Sequence, residues 1–468
     1  MEPYYWVAIS VLVLIASISS TAKAGQSTPT SFTDQAALRA CNILAERFPA
    51  LVSFPNDRLY LSQQAQYWAS NQADFAPTCR LSPKKAEQVS SLVSQLVAFG
   101  DEVHFAITSG GHSTAHGASN LNDGITLDLS GLSSVSVAPD YLYVEVGPRT
   151  RWLDIYQILD PLGQTVSGGR ASSVGVGGYL LGGGISMLSG RYGWSADTLL
   201  SIEVVLVNGT VINTSPSSRR DLFSVLKGGR NNFGIAAGFH LETFPLQESL
   251  RVALLRYSDD RLPRVIRGLA DFARNAHLDP SSSAELSVGF DALSNRTAYV
   301  LMPTSANSRS GSGSKKKDEF PLWKLFLEVP TLETSMFRAG MTEVVEMIEI
   351  NNPYGFRYAS LPSLCFFPGI HLTSSLMGIP DDARSRVYKT TLTVHNDPEL
   401  LSKITDLFTA HVVHNRTLDT EQHGSDARSH LPGRDAASAT YTTAPTLLQG
   451  ERGEESDGAR RRSGAIDA

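Results

Sequence analysis

The sequence predicts an α+β fold laid out in two successive regions, and three observations carry that expectation. Strand-like apolar runs alternate with short helical patterns up to about Pro245, and glycines concentrate where those strands end. From about Gln247 glycine thins out and longer helical patterns follow, which puts a boundary near 246–250. The 468 residues exceed one ordinary domain, and an apolar fraction of 42% is enough for more than one core.

At the N-terminus, an apolar run from Tyr4 to about Ile18 is short for a membrane span, and small residues lead from it to Ala22-Lys23-Ala24. Residues 1–24 therefore read as a secretory signal. Glu2 and the lack of Lys or Arg before the run leave a retained signal anchor open, and no later segment approaches membrane length. The expected location is extracellular or the secretory pathway. Cys41 and Cys79 would pair there, leaving Cys365 beside Phe366-Phe367 as a small buried apolar side chain; the alternative is three reduced core cysteines. Sequons begin at Asn208, Asn213, Asn295 and Asn415 and make a glycoprotein the expectation, although Asn208-Gly209 also reads as a tight hairpin turn. Residues 25–74 form an N-terminal segment ahead of the first region.

Residues 82–100 read as a helix. Ser82 is its expected cap, Pro83 suits its first turn, Gly100 ends it, and Val89, Leu92, Val93, Leu96 and Val97 make one apolar face. Strands are expected over Val103–Thr108, Ile125–Leu129 and Tyr141–Val146. The second region, 247–417, carries helical patterns at Pro263–Ala276 and Thr334–Ile350 and a Ser/Gly-rich loop at Ser305–Ser314. Periodicity disappears after about Thr417, so residues 418–468 are expected to be a disordered or aberrant tail.

A net charge of −6 argues against a nucleic-acid binder, which needs a basic field. Lys315–Lys317 and Arg460–Arg462 lie in Gly/Ser-rich surroundings and read as solvated. His411 and His414 lack a carboxylate or cysteine at matching spacing, so no metal site is expected.

Three glycine-rich clusters remain. The first, Ser109-Gly110-Gly111-His112-Ser113, follows a strand directly; its amides could face a pyrophosphate, and its imidazole is a competent nucleophile. The second runs from Ser167 to Ile185 and includes Gly175, Gly177, Gly178, Gly182 and Gly183. It lets a flat or phosphorylated ligand approach, yet Leu180 and Met187 stand where a dinucleotide fingerprint needs its third glycine. The third, Leu226–Ile235, ends in Asn232-Phe233-Gly234-Ile235. Each alone is equally compatible with turns and bulges.

Taken in order, these stretches resemble a known family. Ile107-Thr-Ser-Gly-Gly-His-Ser-Thr-Ala-His-Gly-Ala-Ser-Asn, Gly124-Ile-Thr-Leu-Asp-Leu-Ser, Val174-Gly-Val-Gly-Gly-Tyr-Leu-Leu-Gly-Gly-Gly, Arg191-Tyr-Gly and Asp221-Leu-Phe through Asn232-Phe-Gly-Ile are similar to the FAD-linked oxidoreductases related to berberine bridge enzyme. The likeness is dense from about Phe75 to Pro245 and looser beyond, where Phe320-Pro321 and Asn351–Tyr358 match fungal members. It implies a PCMH-type FAD-binding domain of two subdomains over 75–246, followed by an α+β substrate domain of antiparallel sheet and helices. It implies FAD bound covalently through His112 to the 8α carbon, with Ser109, Gly110, Gly111 and Ser113 around the pyrophosphate. Gly175, Gly177, Gly178, Gly182, Gly183 and Asn232, Phe233, Gly234 and Ile235 would line the rest. Ala171 stands where bicovalent members carry cysteine, so a single histidyl bond is implied. His116 matches no functional position and is read as structural. The implied reaction oxidises a small organic molecule, in a fungal secondary-metabolite setting, with hydride passing to flavin N5 and dioxygen as acceptor. No base is assigned. The family's Tyr/Asn-rich return and final helix have no counterpart after Thr417, so a truncated or aberrant C-terminal part is expected. The alternative is a non-redox, cyclase-like or catalytically impaired flavin-binding protein of the same fold.

Overall fold

The computed structural model describes residues 7–16, 32–115, 117–246, 249–291, 296–306, 321–349, 354, 358–359, 370–377 and 385–394. His116, Asn295, Lys315–Lys317, Cys365, His411, His414, Asn415 and the stretch 418–468 lie outside them, as does most of Asn351–Tyr358.

The architecture is α+β. A four-stranded sheet has the order Val52–Ser53, Cys79–Leu81, Ile125–Asp128, Phe105–Thr108, its last three strands parallel. A five-stranded antiparallel sheet has the order Val211–Thr214, Leu199–Val205, Ile235–Glu242, Tyr143–Val146, Val135–Val137. The helix Ala86–Ala98 joins them, because Val89, Leu92, Val93 and Leu96 pack in one core with Leu81 and Ile125 of one sheet and Val205 and Ile235 of the other. Cys41 in the helix Phe32–Arg47 is disulfide-bonded to Cys79. The predicted hairpin is present: Leu199–Val205 and Val211–Thr214 pair across a turn in which Gly209 has φ +80° and Asn208 Oδ1 accepts from Thr210 N at 3.0 Å.

An eight-stranded sheet, mostly antiparallel, forms the second region, in the order Glu333–Ala339, Leu250–Tyr257, Arg296–Ser305, Ser282–Asp291, Val7–Ala16, Ser385–Val394, Ile370–Met377, Tyr358–Ala359. The apolar N-terminal segment thus lies as a strand between Ser282–Asp291 and Ser385–Val394. The helix Leu262–Asn275 packs its buried face on this sheet with Trp323 and Phe326. The two regions share apolar packing, since Leu250, Val252, Met341, Val344 and Val345 belong to the core of Val144, Trp152, Ile202 and Phe239.

Two expectations are corrected. The helix over 82–100 begins only at Ala86, and Ser82 does not cap it. Ser82 is buried instead, donating its N–H to Leu51 O at 2.7 Å and accepting from Gln63 Nε2 at 2.9 Å, so tertiary hydrogen bonds take the side chain the cap would have used. The pattern over 334–350 is not one helix. Glu333–Ala339 is an edge strand paired with Leu250–Arg256, and only Met341–Glu349 is helical, starting where Thr342 N donates to Asp160 Oδ2 at 2.8 Å.

Candidate functional site

The strand Phe105–Thr108 delivers the chain into Ser109–Ser113, and the first two glycine clusters meet there backbone to backbone. A Cβ on Gly110 would lie 2.6 Å from Gly175 Cα, and one on Gly175 would lie 2.4 Å from Gly110 Cα. Gly177 belongs to the same seam: its N–H donates to Pro148 O at 3.0 Å, the carbonyl that also accepts from Ser109 Oγ at 2.5 Å. Gly111, at φ +66°, carries a left-handed backbone that favours glycine. The third cluster joins through Leu181, whose carbonyl accepts from Gly228 N at 2.9 Å and Arg230 N at 3.1 Å. Within that cluster Asn232 and Phe233 are exposed, Gly234 packs against Val204 and Ile235 is buried. Gly182 and Gly183 follow the helix Val176–Leu180.

His112 is held on two sides. Its ring stacks on Trp68 with centroids 3.9 Å apart and planes 15° apart, while Nε2 lies 3.2 Å from Ser173 Oγ. Trp68 N in turn donates to Gly111 O at 3.0 Å. Ser173 is gripped by residues from both regions: Glu349 accepts from its N–H at 3.2 Å and from its hydroxyl, and Arg151 Nη1 donates to its carbonyl. Arg151 also donates to Tyr354 OH at 2.7 Å. Ser113 is half-buried, its hydroxyl accepting from Ala115 N at 3.3 Å.

Beside this loop lies a small cavity lined by Gln66, Tyr67, Thr108, Ser109, Gly111, Asp128 and Arg149. Arg149 is buried, and its Nη1 has no hydrogen-bond partner, while Nη2 donates to Gln66. Burial, and then Arg151, lower its pKa, yet a guanidinium stays charged at any ordinary pH. A buried, half-satisfied cation on a cavity is costly until an anion fills it. Burial raises the Asp128 carboxyl above its usual range, and the Arg80 guanidinium at 3.2 Å pulls it back, so this acid faces its own cation. The cavity holds about 10 Å³, the room of one water-sized group, so what fits at Arg149 Nη1 is a single anion oxygen. An oxygen of the FAD diphosphate is of the required kind.

Gly178 separates a packing role from a ligand role, since a Cβ there meets nothing within 4 Å. Gly178→Ala, inside the helix Val176–Leu180, should leave stability unchanged or raise it by up to about 1 kcal/mol. Weakened FAD binding at full stability, read by flavin content and thermal unfolding together, would put the cofactor against that helix. Unchanged flavin content would take Gly178 out of the cradle.

Sequence reasoning did not single out Trp68, Arg149, Arg151, Ser173, Glu349 or Tyr354. The only local signal was Arg149-Thr150-Arg151, two cations close after the strand Tyr143–Val146. Among the described residues no group of three or more His, Cys, Asp or Glu could hold a metal ion, and no helix is long and apolar enough to cross a membrane.

Comparison with known proteins agrees with this geometry. A family model described as FAD binding domain matches residues 77–215. The FAD-dependent monooxygenase tpcD of Cochliobolus heterostrophus is 38% identical over 227 residues, 48% of this chain and 43% of that protein. The chain spans about half the length of the curated relatives it matches. Among solved structures, xylooligosaccharide oxidase from Myceliophthora thermophila shares the fold at TM-score 0.57 and 20% identity, over 76% of this chain and 83% of that one. Glucooligosaccharide oxidase from Acremonium strictum, described with a 6-S-cysteinyl, 8α-N1-histidyl FAD, aligns at TM-score 0.55 and 18% identity, over 77% and 82%. The PCMH-type FAD-binding architecture followed by an α+β region is therefore the fold of this chain.

Proposed function

We propose that this chain, a relative of fungal FAD-dependent oxidoreductases carrying their FAD binding domain, oxidises a small organic molecule with FAD bound covalently through His112. The observation that carries the reading is the convergence of the three glycine clusters, with His112 on one side and the half-satisfied Arg149 on the other. FAD, when bound, supplies a two-electron acceptor at N5 whose electrons pass on to dioxygen. Arg149 and the amides of Ser109–Gly111 would hold the diphosphate, and the Gly175–Gly183 stretch would leave room for the flat ring system. Ala171 has no sulfur, so the attachment is a single histidyl bond. Arg170, beside it, is ion-paired with Glu285 of the second region's sheet. The fungal sources of the curated relatives support a place in secondary metabolism, and secretion fits the Cys41–Cys79 bridge.

The test is direct. Purified protein should be yellow, keep its flavin after denaturation, and yield a His112 peptide heavier by the mass of FAD. His112→Ala should release all flavin on denaturation while Arg149 and the glycine seam still bind it non-covalently. A wild-type His112 peptide of unmodified mass would overturn the attachment. Hydrogen peroxide formed in step with product supports an oxidase; oxygen incorporated into product would instead make the chain a monooxygenase, the activity in the relatives' names. A bound flavin that no candidate substrate bleaches would favour the non-redox reading.

A further inference from the structure

We propose that Glu349 is a positioning residue for flavin attachment, acting on His112 through Ser173. The inference rests on the covalent reading above and adds to it the residue that makes the imidazole reactive. All three polar groups of Ser173 are engaged. Glu349 accepts from both its N–H and its hydroxyl, and Arg151 donates to its carbonyl. A carboxylate only accepts, so the single hydroxyl proton of Ser173 points to Glu349. Towards His112, 3.2 Å away, the same oxygen must then accept, and Nε2 carries the proton. In that tautomer of the neutral ring the lone pair sits on Nδ1, which becomes the nucleophile.

Glu349 belongs to the helix Met341–Glu349 of the second region. Its carboxylate leaves its own region to grip a loop 176 residues earlier in the chain. Tyr354 reaches the same loop independently through Arg151, so the second region holds Ser173 in place from two points.

In the attachment step the bond that forms is Nδ1 to the 8α carbon, and one methyl C–H bond breaks. The imidazole gains positive charge as it is alkylated and sheds the Nε2 proton along the path Ser173–Glu349. Summed over the step, two electrons and the methyl proton would pass to the flavin ring, which would take its second proton from solvent while the imidazole proton leaves through Glu349; dioxygen would then take both electrons and two protons and leave as hydrogen peroxide. Glu349 favours the step by its negative charge at the far end of the relay, and Trp68 by its π face against the developing cation.

The experiment uses full-length protein made without flavin and mixed with FAD. Covalent attachment is timed by fluorescence of the denatured chain and by the mass of the His112 peptide, at several pH values. Glu349→Gln and Ser173→Ala should each slow attachment by roughly tenfold or more, Glu349→Asp should recover part of the rate, and non-covalent FAD affinity and unfolding midpoint should stay at wild-type values. Raising the pH should speed the Glu349→Gln variant more than the wild type, because solvent base then replaces the relay. Attachment at the wild-type rate in Glu349→Gln overturns the inference. So does slowing that merely tracks lost FAD affinity or stability. If wild-type protein binds FAD but never attaches it, the covalent reading fails and this inference falls with it, an outcome distinct from wild-type attachment that ignores Glu349.

Discussion

Arg80→Met should destabilise the protein by about 3–5 kcal/mol, measured by urea unfolding, because it strands a buried carboxylate. Arg80 is fully buried on the strand Cys79–Leu81, with Nη1 3.2 Å from Asp128 Oδ2. Its guanidinium also donates to Gln64 and lies 3.4 Å from Tyr67 OH and 3.3 Å from Asn120 Oδ1. Tyr60 and Tyr67 stand beneath it, their ring centroids 5.2 and 5.3 Å from the guanidinium carbon. Methionine keeps most of the volume and none of the charge, so the cost is electrostatic. Adding Asp128→Asn should recover part of it, because the neutral amide still accepts from Ser130 N, as Asp128 Oδ1 does at 2.8 Å. The effect should also reach the cofactor. Tyr67 packs behind Gly111, where an added Cβ would come within 3.3 Å of its ring, and it precedes Trp68, on which His112 stacks. A single-variant cost below about 1 kcal/mol would mean the pair is worth no more than an exposed one.

The second large effect is expected from Gly175→Ala. At φ −77° and ψ 146° the backbone of Gly175 suits any residue, so conformational preference does not oppose the change. Contact does, because the new Cβ would sit 2.4 Å from Gly110 Cα and 2.8 Å from Gly110 N. Backbone has no rotamer to turn aside, and the two loops must separate. Overpacking of this kind costs about 1–3 kcal/mol. The site should suffer more than the fold, since separating Gly110 from Gly175 moves His112 relative to Ser173, and flavin content should fall sharply. Full flavin loading with an unchanged unfolding midpoint would show that the seam can open without harm. Gly178→Ala, where no neighbour lies within 4 Å, is the matched control for the unfolding midpoint alone.

Much of the first region was legible from local pattern. Val89, Leu92, Val93 and Leu96 recur at helical spacing and are the buried face of their helix, although Val97, counted with them, is 43% exposed. Asn208-Gly209 makes its turn because glycine suits the left-handed backbone that Gly209 adopts there. Patterns that depend on a distant partner were misread. Thr334–Ala339 looked helical together with the helix that follows it, but its backbone pairs with Leu250–Leu255 at the sheet edge, and its first three residues are all exposed, so burial leaves no alternation to read.

By itself the sequence determined where the backbone is bare: glycines at 110, 175 and 177 carry no side chain, and His112 follows closely on the strand Phe105–Thr108. Those are properties of single residues and short spacings, and they survive in a one-dimensional reading. Only the tertiary structure decided what surrounds His112. Trp68, Ser173 and Glu349 come from three separate stretches, and of these only Ser173 lies within a glycine-rich cluster. Arg149 is significant only because folding buries it with one nitrogen unsatisfied. The physical reason is the same in each case: a hydrogen bond, a stack or an unpaired charge is a relation between groups, and chain order does not say which groups folding will bring together.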